Sequence, residues 1–249
     1  GGNTPGQSDV LEYITIPTQG NSIDFGNMTV ARQSNPAATG SSIRGIVGGG
    51  QNFPAQSNII DFITFSSTGN ASDFGDLTVA RGQISSTGSQ TRGIFGGGEP
   101  GPSITDTIDY VTIAATGNAV DFGNLTGNRR MASAASSPTR SLFVAGITPS
   151  ATNIIDFVTT STLGNAQDFG DVSVARYALG VVSSKTRAAI MGGYVAPANV
   201  NTIEYVTIAT RGNAQDFGDL TETIANAQHV SDSIRGVRMG GVTPLDTSM

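Results

Sequence analysis

The tetrapeptide Asp-Phe-Gly-Asp/Asn occurs five times in this chain, around Phe25, Phe74, Phe122, Phe169 and Phe217, at intervals of 49, 48, 47 and 48 residues. An arginine that opens a short β-type run recurs with it, at Arg44, Arg92, Arg140, Arg187 and Arg235, spaced 48, 48, 47 and 48. A unit of this length cannot enclose a core of its own. The period therefore predicts a stack or a ring in which each unit buries its faces against its neighbours.

The two ends favour the ring. Gly1-Gly2-Asn3-Thr4-Pro5 matches Gly240-Gly241-Val242-Thr243-Pro244, an offset of 239 residues. The first copy lacks its arginine strand upstream, and the last copy of that strand, residues 234–241, has no partner downstream. A solenoid would carry atypical polar caps at these places. Two complementary halves instead predict closure, with residues 235–241 supplying the second strand to the unit that holds residues 11–16.

One unit reads as four short strands. In residues 81–130, residues 83–87 form the first and Arg92-Gly93-Ile94-Phe95 the second, ending at Gly96-Gly97-Gly98. A Pro-containing loop leads to Ile108-Asp109-Tyr110-Val111-Thr112-Ile113, rich in β-branched and aromatic residues. The turn Thr116-Gly117-Asn118-Ala119 suits residues at positive φ, and Asp121 to Leu125 begins the fourth strand. The third strand is apolar on both faces, which requires packed layers on both sides. The expected fold is all-β: a five-bladed β-propeller, four antiparallel strands per blade, one domain over residues 1–249, closed by strands from both termini.

Composition narrows the function classes. With 33 Gly, 10 Pro and 37% apolar residues, the chain is turn-dense yet able to form a core. No apolar run approaches the roughly 20 residues of a membrane helix, and no signal-peptide pattern opens the chain. The formal charge of −6 argues against a nucleic-acid surface. There is no Cys and one His, so no metal or cofactor site is expected. Nucleophile-elbow, phosphate-loop, zinc-protease and calcium-loop motifs are absent, and no catalytic residue is assigned.

The element order resembles the kelch repeat. The residues that carry the likeness are Ile94-Phe95-Gly96-Gly97 ending the second strand, Ile108-Asp109-Tyr110 in the third, and Phe122 through Leu125 to Arg129 in the fourth. It covers all five repeats and departs where kelch blades place Trp, since this chain has Phe there and no Trp. Gly-Asn-Ala-x-Asp-Phe-Gly-Asp-Leu-Thr is also similar to repeats of structural proteins of tailed, especially marine, phages. That likeness implies a virion component.

Two sets of residues stand out. Asp61, Asp109 and Asp156, with Glu12 and Glu204, precede the third-strand aromatic in each repeat. A carboxylate in a doubly buried strand must be paired, and the neighbouring-strand arginines Arg44, Arg92, Arg140, Arg187 and Arg235 are the expected partners. Because the set recurs in every unit, its expected role is structural. Arg32, Arg81, Arg129 and Arg176 end the fourth segment, but the fifth copy has Ile224. Arg238 likewise stands where the other copies have Val47, Phe95, Phe143 and Ile190.

The loops joining second to third strands, residues 51–58, 99–107, 147–153, 194–202 and 3–10, vary while the strands do not. Variable loops on a fixed frame are where recognition is expected, with Phe53, Glu99, Ile104 and Tyr194 as candidate contacts. The sequence thus predicts a non-catalytic structural or binding module on a phage virion. Its partners would be other virion or scaffold proteins or a cell-surface glycan. The competing reading is a carbohydrate-binding propeller or a glycan-acting enzyme.

Overall fold

A computed structural model describes residues 6–33, 35–52 and 54–243. Every regular element among them is a β-strand, and every pairing is antiparallel. Four sheets hold four strands each in chain order. The first is Ala37–Gly40, Arg44–Gly48, Ile59–Thr64 and Ser72–Asp76; the second is Ser85–Gly88, Arg92–Gly96, Thr107–Thr112 and Val120–Asn124. The third is Ser133–Ser136, Arg140–Thr148, Ser150–Thr159 and Gln167–Asp171; the fourth is Gly180–Ser183, Arg187–Met191, Thr202–Thr207 and Gln215–Asp219.

The fifth repeat is divided. Val10–Tyr13 pairs with Ile23–Asn27, and Gln228–Ser231 pairs with Gly236–Met239. Among the described residues no ladder joins these halves, so the expected hydrogen bonds between the chain ends are not formed here.

The recurring Asp-Phe-Gly has a local cause. In the second sheet Ile108 pairs with Gly123, but Asp109 pairs with Asp121, which leaves Phe122 as the extra residue of a β-bulge. The same slip occurs at Leu11/Glu12, Ile60/Asp61, Ile155/Asp156 and Ile203/Glu204. Gly123 sits at φ +140, and a Cβ there would lie 2.6 Å from the carbonyl of Gly164 in the next hairpin. Only glycine permits both that dihedral and that approach. Each bulged Phe stacks edge-on to the third-strand aromatic, as Phe122 does to Tyr110 with centroids 5.9 Å apart. Such pairs add about 0.5–1.5 kcal/mol beyond burial.

The core lies between sheets. Phe74 and Ile60 of the first sheet cluster with Phe95, Val111 and Ile113 of the second. Ile94 and Phe122 of the second cluster with Phe143 and Val158 of the third. This face-to-face packing explains why the third strand is apolar on both sides. The first strands of all five repeats line one cavity, which reaches from Thr39 to Ser231.

One loop assignment is corrected. Residues 147–153, expected to be irregular, belong to the long pair Arg140–Thr148 and Ser150–Thr159, with Thr148 opposite Ser150 across Pro149. Where the other sheets break at a Gly-Gly pair, the third bends at Ala145 (φ +55) and Gly146 (φ +113) and continues as a ladder. The β-branched Ile147 and Thr148 sustain it.

Candidate functional site

The repeated carboxylates are buried in ion pairs, with different arginines from those expected. Asp156 receives Nη2 of Arg129 at 2.6 Å, the Thr126 amide at 3.0 Å and the Thr126 hydroxyl at 2.7 Å. Arg129 also donates to the Ile154 carbonyl at 3.2 Å. Arg81 meets Asp109 at 2.9 Å, while Arg32 pairs with Asp61 and Arg176 with Glu204. All eight side chains are buried. Burial pulls each guanidinium below its ordinary pKa, and the facing carboxylate opposes that shift. The arginines lie on the crossover that follows a fourth strand, so each pair anchors the chain as it passes from one sheet to the next.

Arg44, Arg92, Arg140 and Arg187 have another task. Arg92 stands opposite Thr112, three residues along the strand from Asp109, whose own partner is Phe95. At roughly 3.3 Å per residue, Asp109 is about 10 Å away along the strand. The guanidinium lies instead over Tyr110, 4.7 Å from the ring centroid, and donates to the Thr160 carbonyl of the next sheet at 3.1 Å. Arg44 over Phe62 and Arg140 over Phe157 repeat both contacts, reaching Ile113 and Ile208. Arg187 covers Tyr205 at 4.5 Å, while Arg235 is exposed at the end of the open half-sheet.

The sequence held a signal for the true partners. Arg32, Arg81, Arg129 and Arg176 each follow the motif Phe by seven residues, a regularity as strict as that of the second-strand arginines. What it lacked was the bulge, which decides where each carboxylate points.

The candidate recognition residues are distributed over the molecule. Phe53 lies outside the described residues. Glu99 is half-buried and accepts from Arg130 Nη1 at 2.5 Å; Arg130 also reaches Gln83 at 3.2 Å. Ile104 is half-buried in the same loop. Tyr194 packs on Tyr177, centroids 5.4 Å apart at 60°. Glu99 and Ile104 stand on the second repeat and Tyr194 on the fourth, so they do not form one site. The loops themselves differ in build: small ladders at Gln51–Asn52/Ala55–Gln56 and Tyr194–Val195/Ala198–Asn199, a continuous arm in the third repeat, and no strand in residues 97–106.

A cavity runs between the first strands. It spans about 980 Å³ and is lined by Thr39, Thr87, Ser136, Ser183 and Ser231, with Lys185 and Asp232 also on its wall. Several hydroxyls are committed to neighbouring first strands. Ser86 donates to Ala38 at 2.7 Å, Thr87 to Ala135 at 3.0 Å, Ser183 to Ser136 at 3.1 Å and Ser231 to Ser183 at 3.1 Å. They present acceptor lone pairs to the cavity. A second opening, about 270 Å³, is ringed by Asn35, Gln83, Met131, Ala178 and Asn226, each at φ between +49 and +54.

His229 lies at that opening, packed on Gly180, and its Nε2 has no hydrogen-bond partner among the described residues. Burial, and secondarily Arg238, depress its pKa against a raising backbone bond at Ala227. Among the described residues, no group of three His, Asp or Glu side chains could hold a metal ion, and no helix is long and apolar enough to cross a membrane. No protein-family model matches the chain, and no curated protein matches it in sequence.

Proposed function

We propose that the repeats form a five-bladed propeller, its fifth blade completed by pairing Gly236–Met239 with Val10–Tyr13, and that the ring is a non-catalytic structural and binding module of a tailed-phage particle. The observation that carries this reading is a division of labour. The repeated third-strand carboxylates and the two sets of repeated arginines of the four complete sheets are engaged within the frame, as buried pairs or as arginines stacked on aromatics. The second-to-third-strand loops of the same frame differ in build from repeat to repeat. A uniform scaffold with individual loops is suited to recognition through those loops. The placement on a virion rests on the likeness of the Asp-Phe-Gly repeat to phage structural repeats.

The test uses antibodies to the full chain on purified particles of the source phage, viewed by electron microscopy, and a variant with residues 99–106 replaced by a short Gly-Ser link. Label on the particles, together with a variant that melts like the parent but fails to join them, supports the proposal. Unlabelled particles overturn the virion placement. A second reading, a carbohydrate-binding propeller, is favoured by the hydroxyl-lined cavity of about 980 Å³. Glycan-array binding that survives loop replacement would move the site to that cavity.

A further inference from the structure

The fifth repeat departs from the other four at two positions, and the departures compensate each other. In each complete sheet the third-strand carboxylate is met by an arginine from the crossover and by the backbone amide of a Thr or Ser three residues earlier: Thr29 with Arg32, Thr78 with Arg81, Thr126 with Arg129, Ser173 with Arg176. The fifth set has Glu12 and Thr221 in place but Ile224 instead of arginine. Ile224 is buried beside Gly192 and Gly241 and offers nothing to a carboxylate.

The second-strand residue opposite that carboxylate is apolar in every complete sheet: Val47 opposite Asp61, Phe95 opposite Asp109, Phe143 opposite Asp156, Ile190 opposite Glu204. Carried to the fifth repeat, the same register sets Val237 opposite Tyr13, Met239 opposite Leu11, and Arg238 opposite Glu12. The one apolar position that became arginine faces the one carboxylate that lost its arginine. The exchange is sterically reasonable, because in complete sheets the crossover guanidinium already lies at that place. Nη2 of Arg32 and of Arg81 is 3.4 Å from the carbonyls of Val47 and Phe95.

We infer that Arg238 is a relocated seam arginine: when the fifth blade closes it pairs with Glu12, with Thr221 completing the set, and this pair fixes the register of the closing strand. The inference rests on the proposed ring. The occupant of the seam is the chain's own hairpin Gln228–Ser231/Gly236–Met239, for three reasons. First, an open groove of about 460 Å³ beside Leu11 and Met28 is lined by Gly45, Ile46 and Val47, where the repeat pattern places this hairpin.

The packing of the other sheets names the side chains that would fill the groove. Phe95 presses on position 48 of the preceding sheet, and Gly93 and Gly236 approach Thr39 and Val182 of theirs. By the same steps Val47 would meet Met239 and Gly45 would meet Val230, side chains now 47% and 52% exposed. Second, Gly75, Gly123 and Gly170 each abut the next hairpin glycine, whereas Gly218 has nothing within 4 Å among the described residues. Phe217 beside it is 57% exposed, against 2% for Phe74, Phe122 and Phe169. Third, residues 38–40 of the first sheet and residues 231–233 of the hairpin line the same axial cavity, so the hairpin already stands on the axis it would share with the first sheet. In the open arrangement Arg238 rests on the exposed Glu222 at 2.7 Å.

The experiment combines a cross-link with charge reversal in the full chain. The chain has no Cys, so Leu11→Cys with Met239→Cys creates the only possible disulfide. Paired strands bring such residues within the 4.4–6.8 Å Cα separation a disulfide needs. Thermal unfolding is then measured for Glu12→Arg, Arg238→Glu and the reversed double variant, with Glu222→Gln as control. The expected result is an intramolecular disulfide in the monomer, a fall of several degrees for each single reversal, recovery of most of it in the double, and little change in the control.

An intramolecular disulfide with no recovery in the double would leave the ring standing and overturn the Arg238–Glu12 pair. A disulfide found only between two chains, or none under oxidation, would overturn intramolecular closure itself.

Discussion

Arg129→Ala tests the energetic core of this fold most directly. The substitution leaves Asp156, fully buried, with the Thr126 amide and hydroxyl but without its counter-charge at 2.6 Å. Removing one partner of a buried pair costs about 3–5 kcal/mol, because the remaining charge stays desolvated and uncompensated. For a domain of this size each kcal/mol lowers the melting temperature by roughly 2–4 °C, so a fall of about 6–20 °C is expected. Arg92→Ala is the matched control. It removes a cation–π contact worth about 0.5–2 kcal/mol and a hydrogen bond worth about 0.5–1.5 kcal/mol. Arg92 is half-buried, so the lower part of both ranges applies, about 1–2 kcal/mol.

Replacing both partners, Arg129→Met with Asp156→Leu, should recover most of the loss, since no charge is left in the interior. The assay is urea unfolding followed by circular dichroism, with calorimetry for the melting temperatures. An Arg129→Ala variant as stable as the parent, or one that loses no more than Arg92→Ala, would refute the assignment of the buried pairs.

Two further outcomes follow from local geometry. Gly123→Ala should lower stability by about 1–3 kcal/mol, because φ +140 and a carbonyl 2.6 Å from the new Cβ leave no relaxed solution; an unchanged urea midpoint would contradict the bulge. His229 is held below its free pKa by burial first and Arg238 second, so the folded state binds its proton less readily than the unfolded state. Its contribution is full above the unfolded value of about 6.5 and is lost as pH falls through that value toward the lowered folded one. The gap in urea midpoint between parent and His229→Gln should therefore change between pH of about 8 and about 5. Parallel profiles would show that His229 is not depressed.

The period of about 48 residues, the four strands per unit and the two-sided burial of the third strand were legible in the chain. Each is a local pattern: β-branched runs such as Ile108 to Ile113, Gly-Asn turns, and Asp-Phe-Gly at one fixed offset. Local rules suffice there because a strand declares its faces by which of its side chains are apolar. Pairing of the charges was not legible. Arg92 and Arg81 both recur at near-constant offsets from Asp109 and its counterparts, and only the bulge at Phe122 and the crossing of the chain between sheets set Arg81 beside the carboxylate and Arg92 over Tyr110. The same holds for residues 147–153, where a bend at Ala145 let a predicted loop continue as a ladder. Sequence alone determined the repeating unit, since that follows from each residue's own backbone and burial preference. The tertiary structure decided which charges meet, because a side chain of several ångströms chooses its partner by packing between sheets and not by distance along the chain.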